Sequence, residues 1–421
     1  MDGLHIVANL YRCRGDARYL TDAAPLRQFC LDSINASGLT VLGDLFHQFP
    51  GADGAAAGGG VTGCVVLAES HLAIHTWPEL GSVTLDVYVC NYTCNNDDKA
   101  HRVVRDLMQL FDPEDYVSHD VPRDRQFMYE WLNEDYGIFV RSSKRLTDFH
   151  TKYQALEVHD TPQFGKLFRL DGCFMTSEKD EFFYHENLVH PAATSHPNPK
   201  RALIIGGGDG GAAEELLKHP SIESVTMVEL DGEVVDVARK WFGKIHNGVF
   251  DNKKLRLLID DGMKFLAETT ERFDLILLDL PDPIGPAAAL YEEPFFRDCR
   301  KALAPGGVLT LHMGSPVSRP ERVQAHAERL ARVFPVVKPF VMFIPLYGAL
   351  WSMACCSDTM DVTTVSAEEI DRRLAKRRVG ALEYYNGATH HAVFALPNFV
   401  RRLTVSTEGP KLVSPRKASA S

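Results

Sequence analysis

"LIIGGGDGGAAEELLKH", residues 203–219, is an apolar run that stops at three glycines, turns through Asp209 and restarts as a helix. Strand, glycine turn and helix in direct succession open a doubly wound parallel sheet. Glycines such as Gly206 and Gly208 tolerate positive φ and let the backbone approach a ligand closely. A turn of this kind serves dinucleotides and S-adenosyl groups alike, so alone it predicts a nucleoside and nothing finer. The rhythm continues beyond it. "SVTMVELD" (224–231), "KLRLLIDDG" (254–262), "FDLILLDLPDP" (273–283) and "GGVLTLHMG" (306–314) are short apolar runs separated by helical stretches.

Carboxylates stand where such a sheet binds ligands. Glu229 closes its strand about 23 residues beyond Gly206, a place from which it reaches both ribose hydroxyls. Asp261, followed by Gly262, is available to an adenine amino group. Asp279 and Asp282, in "LLDLPDPIGPAAALY" (277–291), fall at the carboxyl end of a parallel strand. One acid there is ordinarily a helix cap or turn residue. Two beside a nucleoside cradle point to a second, cationic substrate. Upstream, "SEKDEFFYHENLVH" (177–190) adds Tyr184 and His185 within a run dense in acids.

Bulk properties bound the rest. At 421 residues the chain is long enough for two or three domains. It is 45% hydrophobic and 24% charged, with a formal net charge of −11. That balance disfavours nucleic acid and is compatible with cationic substrates. The absence of a long apolar run or a basic leader predicts neither a membrane span nor a secretory signal. Nine irregularly spaced cysteines predict reduced thiols and a cytoplasmic location. "CNYTC" (90–94) lacks a second pair at zinc spacing, so no metal is predicted.

Three breaks divide the chain: "PGADGAAAGGG" (50–60), a flexible loop by composition; "FDPEDYVSHDVPRDR" (111–125), polar and broken by proline; and a disordered tail at 407–421. The predicted organisation is an α+β two-layer sandwich over 1–118 and a linker at 119–125. A small antiparallel β subdomain at 126–195 and a Rossmann-like, methyltransferase-type α/β domain at 196–406 follow. In the first domain "APLRQFCLDSINASG" (24–38) reads as a helix ending at glycine, and "GVTGCVVLAES" (60–70) and "GSVTLDVYVC" (81–90) as strands. "AHRVVRDLMQLF" (100–111) puts Val103, Val104, Leu107 and Leu110 on one helical face.

"AESHLAIHTWPE" (68–79) holds Glu69, Ser70, His71 and His75. Ser70 and His75 differ by an odd number, so an unbroken strand points them to opposite faces. That parity disfavours a Ser–His hydrolase, and the glycine-flanked elbow such an enzyme uses is absent. A serine hydroxyl can instead attack the carbonyl preceding its own residue and convert the Glu69–Ser70 amide to an ester. Elimination then cuts the chain and leaves Ser70 as a pyruvoyl group, an electrophile that takes up a substrate amine as a Schiff base and supports decarboxylation.

With "GLHIVANLYRC" (3–13) and "VTLDVYVC" (83–90), this stretch resembles the bacterial type of S-adenosylmethionine decarboxylase, a self-processing pyruvoyl enzyme, over about residues 3–112. The resemblance implies a covalent pyruvoyl cofactor derived from Ser70 by cleavage after Glu69. It implies His75 as the processing acid/base, Thr62 as the processing hydroxyl and Cys90 as the acid that returns a proton to the substrate carbon. Phe49, Trp77 and Glu79 fall on the substrate side.

Roughly residues 126–405 resemble aminopropyltransferases of the spermidine synthase family. The motifs are "YQALEV", "LDGCFMTSEKDEFFYHE", "GGGDGG", "VELD", "DDG", "DLPDPIGP", "IPLYG" and "YYNGATHHAVFALPNFVR". By this resemblance Gln154, Gly206, Gly208, Asp209, Glu229, Asp231, Asp261 and Gly262 hold decarboxylated S-adenosylmethionine. Tyr184, His185, Asp209, Asp282 and Tyr347 line the amine channel, and Asp279, helped by Tyr184, takes the acceptor's proton. A base is needed because an alkyl ammonium, with a pKa of about 10, is not nucleophilic at neutral pH. The chain departs from the family pattern at "DLPDP", which replaces a Ser-Ser spacer, at Ala388, where an acid is common, and at "IPLYGALW", which lacks a following Pro-Ser.

Together the halves imply a bifunctional polyamine-biosynthetic enzyme. It makes the aminopropyl donor and passes it to putrescine or a related diamine, uses no metal, binds no nucleic acid or membrane, and forms at least a dimer. Two other readings stay open on the sequence: a pyruvoyl-dependent ornithine or arginine decarboxylase as the first half, or one half as a non-catalytic assembly module.

Overall fold

The computed structural model describes residues 3–51, 59–68, 70–92, 94–123, 127–283, 285–380 and 382–404. The tip of the expected glycine/alanine loop (52–58), Glu69 and the expected tail lie outside them. The chain divides into two compact units, residues 1–127 and 128–421.

The first unit is built on β1 (Gly3–Cys13), β2 (Val41–Gln48), β3 (Val61–Leu67), β4 (Ser70–Trp77), β5 (Ser82–Cys90) and β6 (Pro113–Pro122). They form one sheet in the order β2-β3-β4-β5-β1-β6, antiparallel throughout. Alternation sorts its side chains: Leu4, Ile6, Ala8 and Leu10 of β1 and Val83, Leu85, Val87 and Val89 of β5 are buried against two helices, Ala23–Ser37 and Asp97–Phe111. The first helix starts where Asp22 accepts the Ala24 N–H and ends at Gly38, whose φ is +81°. Val103, Val104 and Leu107 are buried as the spacing predicts, and Leu110 is partly buried beside them. His5, His71, His75, Thr84, Asp86 and Tyr88 occupy the opposite, partly exposed face.

One expectation is corrected here. Residues 113–122, which include the first part of the expected linker, are the edge strand β6, paired with β1 from Leu4↔Pro122 to Cys13↔Pro113. Nearly all its side chains are exposed. Backbone hydrogen bonding holds it, so no hydrophobic alternation marks it in the sequence, and its prolines sit at the ends where an edge tolerates them.

In the second unit β7 (Phe127–Trp131) pairs with β8 (Gly137–Arg141). β9 (Lys144–His150), β10 (Ala155–Thr161), β11 (Gly165–Leu170) and β12 (Cys173–Ser177) make a four-stranded antiparallel sheet. A largely buried helix, Glu181–Ser195, leads into the main sheet. Its strands are β13 (Arg201–Gly206), β14 (Ser224–Glu229), β15 (Leu255–Ile259), β16 (Phe273–Asp279), β17 (Leu303–Gly314), β18 (Val336–Ile344) and β19 (Ala349–Ser357), in the order β15-β14-β13-β16-β17-β19-β18. The first five are parallel and β19 runs antiparallel to both neighbours. Central strands are buried on both faces, as Leu275 to Leu278 show. Strand order reverses between β13 and β16, which opens a ligand crevice at their carboxyl ends. A Rossmann-like sheet thus follows a small antiparallel one.

Glu186 ties the C-terminal motif to this frame. Its carboxylate accepts the backbone N–H groups of Glu383 (2.7 Å), Tyr384 (3.0 Å) and Tyr385 (2.7 Å). Replacing Glu186 with Ala leaves those donors without their acceptor. The substitution is expected to cost about 2–4 kcal/mol of stability in denaturant unfolding, and Glu186→Gln less.

Candidate functional sites

At the strand-order reversal, Gly206 of β13 lies beside Asp279 of β16 in register. Gly206 and Gly207 take φ of +80° and +74°. A Cβ at Gly206 would lie 2.1 Å from the Asp279 carbonyl oxygen, so only glycine admits the approach. The Gly207 N–H donates to that carbonyl at 2.9 Å. The helix Glu181–Ser195 delivers Tyr184 and His185 to the same place. Gly211 makes room for the imidazole, because a Cβ there would sit 2.4 Å from the ring.

The charges are closely coupled. His185 Nδ1 lies 2.7 Å from Glu181 Oε2, and its Nε2 lies 3.4 Å from Asp209 Oδ2 and 4.0 Å from Asp279 Oδ2. Burial opposes a charge on His185, yet Asp209 and Glu181 outweigh it and hold its pKa well above the ordinary value. Burial would also raise Asp209, but His185 holds it below the usual carboxylate range. Asp279 goes the other way: burial, then the Asp209 charge, push it up to about 7. Its Oδ2 has no hydrogen-bond partner among the described residues. His185, Asp209 and Asp279 present ligand atoms within 4.8 Å of one another, a spacing suited to a cationic nitrogen or a divalent ion.

Among the residues expected to hold the nucleoside, burial pushes Glu229 up to about 7. Its Oε1 accepts the Asp231 N–H at 2.9 Å, and its Oε2 faces Gly208, where a Cβ would come within 3.0 Å. Asp231 caps the helix Gly232–Trp241 and accepts from Thr151 Oγ1 (2.7 Å) and Gln154 Nε2 (3.0 Å). Gln154 and Asp231 are thus brought together as a scaffold beside a cleft of about 470 Å³ flanked by Tyr153, Asp231 and Ile259. Asp261 caps the helix Gly262–Glu268 through the Met263 N–H at 2.8 Å.

Among the residues expected to line the amine channel, the Tyr184 and Tyr347 rings meet edge to face at 6.3 Å, and Tyr347 donates to the Met175 carbonyl at 2.8 Å. Asp282, expected to be free for an ammonium, accepts from Arg322 Nη1 at 2.5 Å. A carboxylate absent from the sequence reading stands nearby. Glu130 of β7 accepts the Phe174 N–H, and burial, with the charge of Asp282 adding to it, pushes it up to about 7. Its signal was an acid at the same strand parity as buried Met128. Tyr291 and His312 were also missed. Tyr291 donates to the Pro281 carbonyl at 3.0 Å and His312 Nε2 lies 2.9 Å from the Leu280 carbonyl, so together they clamp the turn carrying both acids.

In the first unit the expected residues form two groups. The Cys90 N–H donates to Ser70 Oγ at 3.2 Å at the head of β4. Thr62 Oγ1 lies 3.2 Å from His75 Nδ1 across paired strands. Phe49 and Trp77, both exposed, and Glu79 lie at the His75 end, where the Phe49 N–H bonds the Gly60 carbonyl and the Val61 N–H bonds Thr76 Oγ1. β4 is unbroken from Ser70 to Trp77. Ser70 and His75 are therefore about 16 Å apart, at about 3.3 Å per residue, and on opposite faces.

Known proteins match each unit. Residues 4–124 match the S-adenosylmethionine decarboxylase family and residues 181–366 the spermine/spermidine synthase domain. The chain is 47% identical over 277 residues to a polyamine aminopropyltransferase of Nitrosomonas europaea, covering 66% of this chain and 85% of that one. It is 38% identical to polyamine aminopropyltransferase 2 of Hyperthermus butylicus, covering 67% and 93%. A solved spermidine synthase in complex with the transition-state analogue AdoDATO superposes with a TM-score of 0.63 at 33% identity, over 68% of this chain and 96% of its own. Spermidine synthase from Thermotoga maritima gives 0.62 at 34%, with the same coverage. The chain belongs to the polyamine aminopropyltransferase family and is a fusion enzyme, with an S-adenosylmethionine decarboxylase domain ahead of the aminopropyltransferase in one polypeptide.

Proposed function

We propose that the first unit cuts itself between Glu69 and Ser70 and decarboxylates S-adenosylmethionine, and that the second transfers the resulting aminopropyl group to putrescine or a diamine of similar length. The observation that carries the transfer is the buried, unpartnered Asp279 Oδ2 beside the glycine turn. An acceptor ammonium entering there gives its proton to Asp279, and Tyr184 helps aim the freed lone pair. The nitrogen attacks the methylene next to the sulfonium, the C–S bond breaks, and a neutral thioether leaves without needing an acid. Asp209, kept anionic by His185, suits the donor's own ammonium. Because Arg322 already partners Asp282, Glu130 is a second carboxylate suited to the acceptor's far end. Glu229 and Asp261 serve the nucleoside, with Gln154 and Asp231 supporting the wall.

A pyruvoyl group formed from Ser70 would supply an electrophilic carbonyl for the substrate amine and an electron sink for the breaking C–C bond. The residues fit its formation: the Ser70 hydroxyl is held at the head of a strand by the Cys90 N–H. Cys90 is the proton donor in this reading, and the Thr62–His75 pair processes the ester. The gap along β4 makes each chain's site incomplete. Thr62, His75 and the aromatic end of one chain serve Ser70 of a second, which supports at least a dimer. Exposed Phe49 and Trp77 suit a purine better than an alkyl amine, which favours S-adenosylmethionine over ornithine or arginine. Nine free cysteines fit a reducing, cytoplasmic setting.

The direct test supplies purified protein with S-adenosylmethionine and a panel of diamines. CO2 release and spermidine from putrescine are expected; release of CO2 only from ornithine or arginine would overturn the reading. Ser70→Ala should stay uncut by intact mass and release no CO2, yet transfer the aminopropyl group when given decarboxylated S-adenosylmethionine.

Co-expressing Ser70→Ala with His75→Ala should restore part of the cleavage and decarboxylation that each variant lacks alone. No recovery in verified mixed dimers would rule out a shared site.

The transferase's kcat/KM should rise with pH through about 7 as Asp279 loses its proton. Asp209 raises that pKa and His185 lowers it, so His185→Gln should move the rising limb to higher pH. Asp279→Asn should lower kcat by about 10²–10⁴.

A further inference from the structure

On the open face of the first unit, Asp86 of β5 lies directly opposite Val7 of β1 and Ala73 of β4. Those small neighbours leave space for longer side chains one step along. His5 and His71, both opposite Tyr88, reach diagonally to Asp86 from the two flanking strands. His5 Nε2 lies 3.2 Å and His71 Nε2 3.1 Å from the same oxygen, Asp86 Oδ1. The two imidazoles meet edge to face at 5.9 Å and 80°, and all three ligand atoms lie within 4.8 Å of one another.

An ion bound tetrahedrally at about 2.0–2.1 Å spaces adjacent ligand atoms at roughly 3.3 Å. The two nitrogen–oxygen edges are already close to that value. We propose that His5, His71 and Asp86 form a binding site for a divalent transition metal of the zinc class. Two imidazoles and one carboxylate favour such an ion over magnesium or calcium, which prefer all-oxygen sites. The side chains are 21% (His5), 39% (His71) and 33% (Asp86) exposed, which leaves the remaining coordination position to water. His71 directly follows Ser70, so the ion ties the start of β4 across β5 to β1 whether or not the chain has been cut.

The competing account is a carboxylate that merely accepts two imidazole N–H bonds, and it predicts no metal affinity. The test titrates the full-length, chelator-stripped chain with Zn2+ by calorimetry and with Co2+ by visible absorption. One equivalent is expected with micromolar or tighter affinity, and no heat with Mg2+. Asp86→Asn keeps the shape and can still accept the imidazole protons, so it should fold normally by circular dichroism yet bind Zn2+ about tenfold or more weakly. A His5→Gln/His71→Gln double variant should lose the site, while Ser70→Ala should bind like the parent chain. Failure of the parent chain to bind, or undiminished binding by the folded double variant, would overturn the proposal; the second outcome places the ion elsewhere among the 17 histidines.

Discussion

A carboxylate oxygen buried without a hydrogen bond is costly, and Asp279 Oδ2 is in that condition among the described residues of the second unit. Gly206 lets the end of β16 lie against the glycine turn, where Asp279 Oδ2 is buried. Burial and the Asp209 charge hold its pKa up at about 7, so the fold opposes its ionisation. The sign follows from linkage. The unfolded chain loses this proton first, so the fold carries the whole cost above about pH 7 and none below the unfolded pKa. In the proposed reaction a cationic substrate beside Asp279 would relieve that cost.

Neighbouring groups set the size of the effect. His185 and Asp209 neutralise one another, so Asp279 faces a buried ion pair rather than a bare second acid. Gly211 is required because the imidazole occupies the space a side chain would fill. Tyr291 and His312 hold the two carbonyls between Asp279 and Asp282 and so set the spacing of those acids. Arg322, reaching in from the helix Pro320–Val333, pairs with Asp282 and offsets one formal negative charge of that turn. The resulting pocket is less acidic than its carboxylates suggest.

The first unit is governed by strand parity. Its buried apolar cluster faces two helices, which leaves His5, His71, His75, Thr84, Asp86 and Tyr88 on the other face of the sheet. That division separates Ser70 from His75 and gathers His5, His71 and Asp86. Joining this unit to the transferase in one polypeptide makes the two in equal numbers.

Periodicity and spacing carried much of this from the sequence alone. The alternating runs with a glycine turn defined the main sheet and put Glu229 and Asp279 at the carboxyl ends of their strands, where the structure also has them. The Ser70–His75 parity was legible too, since strand geometry is local. What escaped depended on distant backbone. β6 is held by hydrogen bonds to β1, 100 residues or more away in the chain, and exposed side chains record no such pairing. Glu130, Arg322 and His312 act on the turn carrying Asp279 and Asp282 from separate elements, and no short-range pattern joins them. The sequence determined which chemistries each local segment could support. Tertiary packing alone decided which carboxylates are paired, which is left bare and which histidines meet, because those outcomes depend on burial and on contacts between residues far apart in the chain.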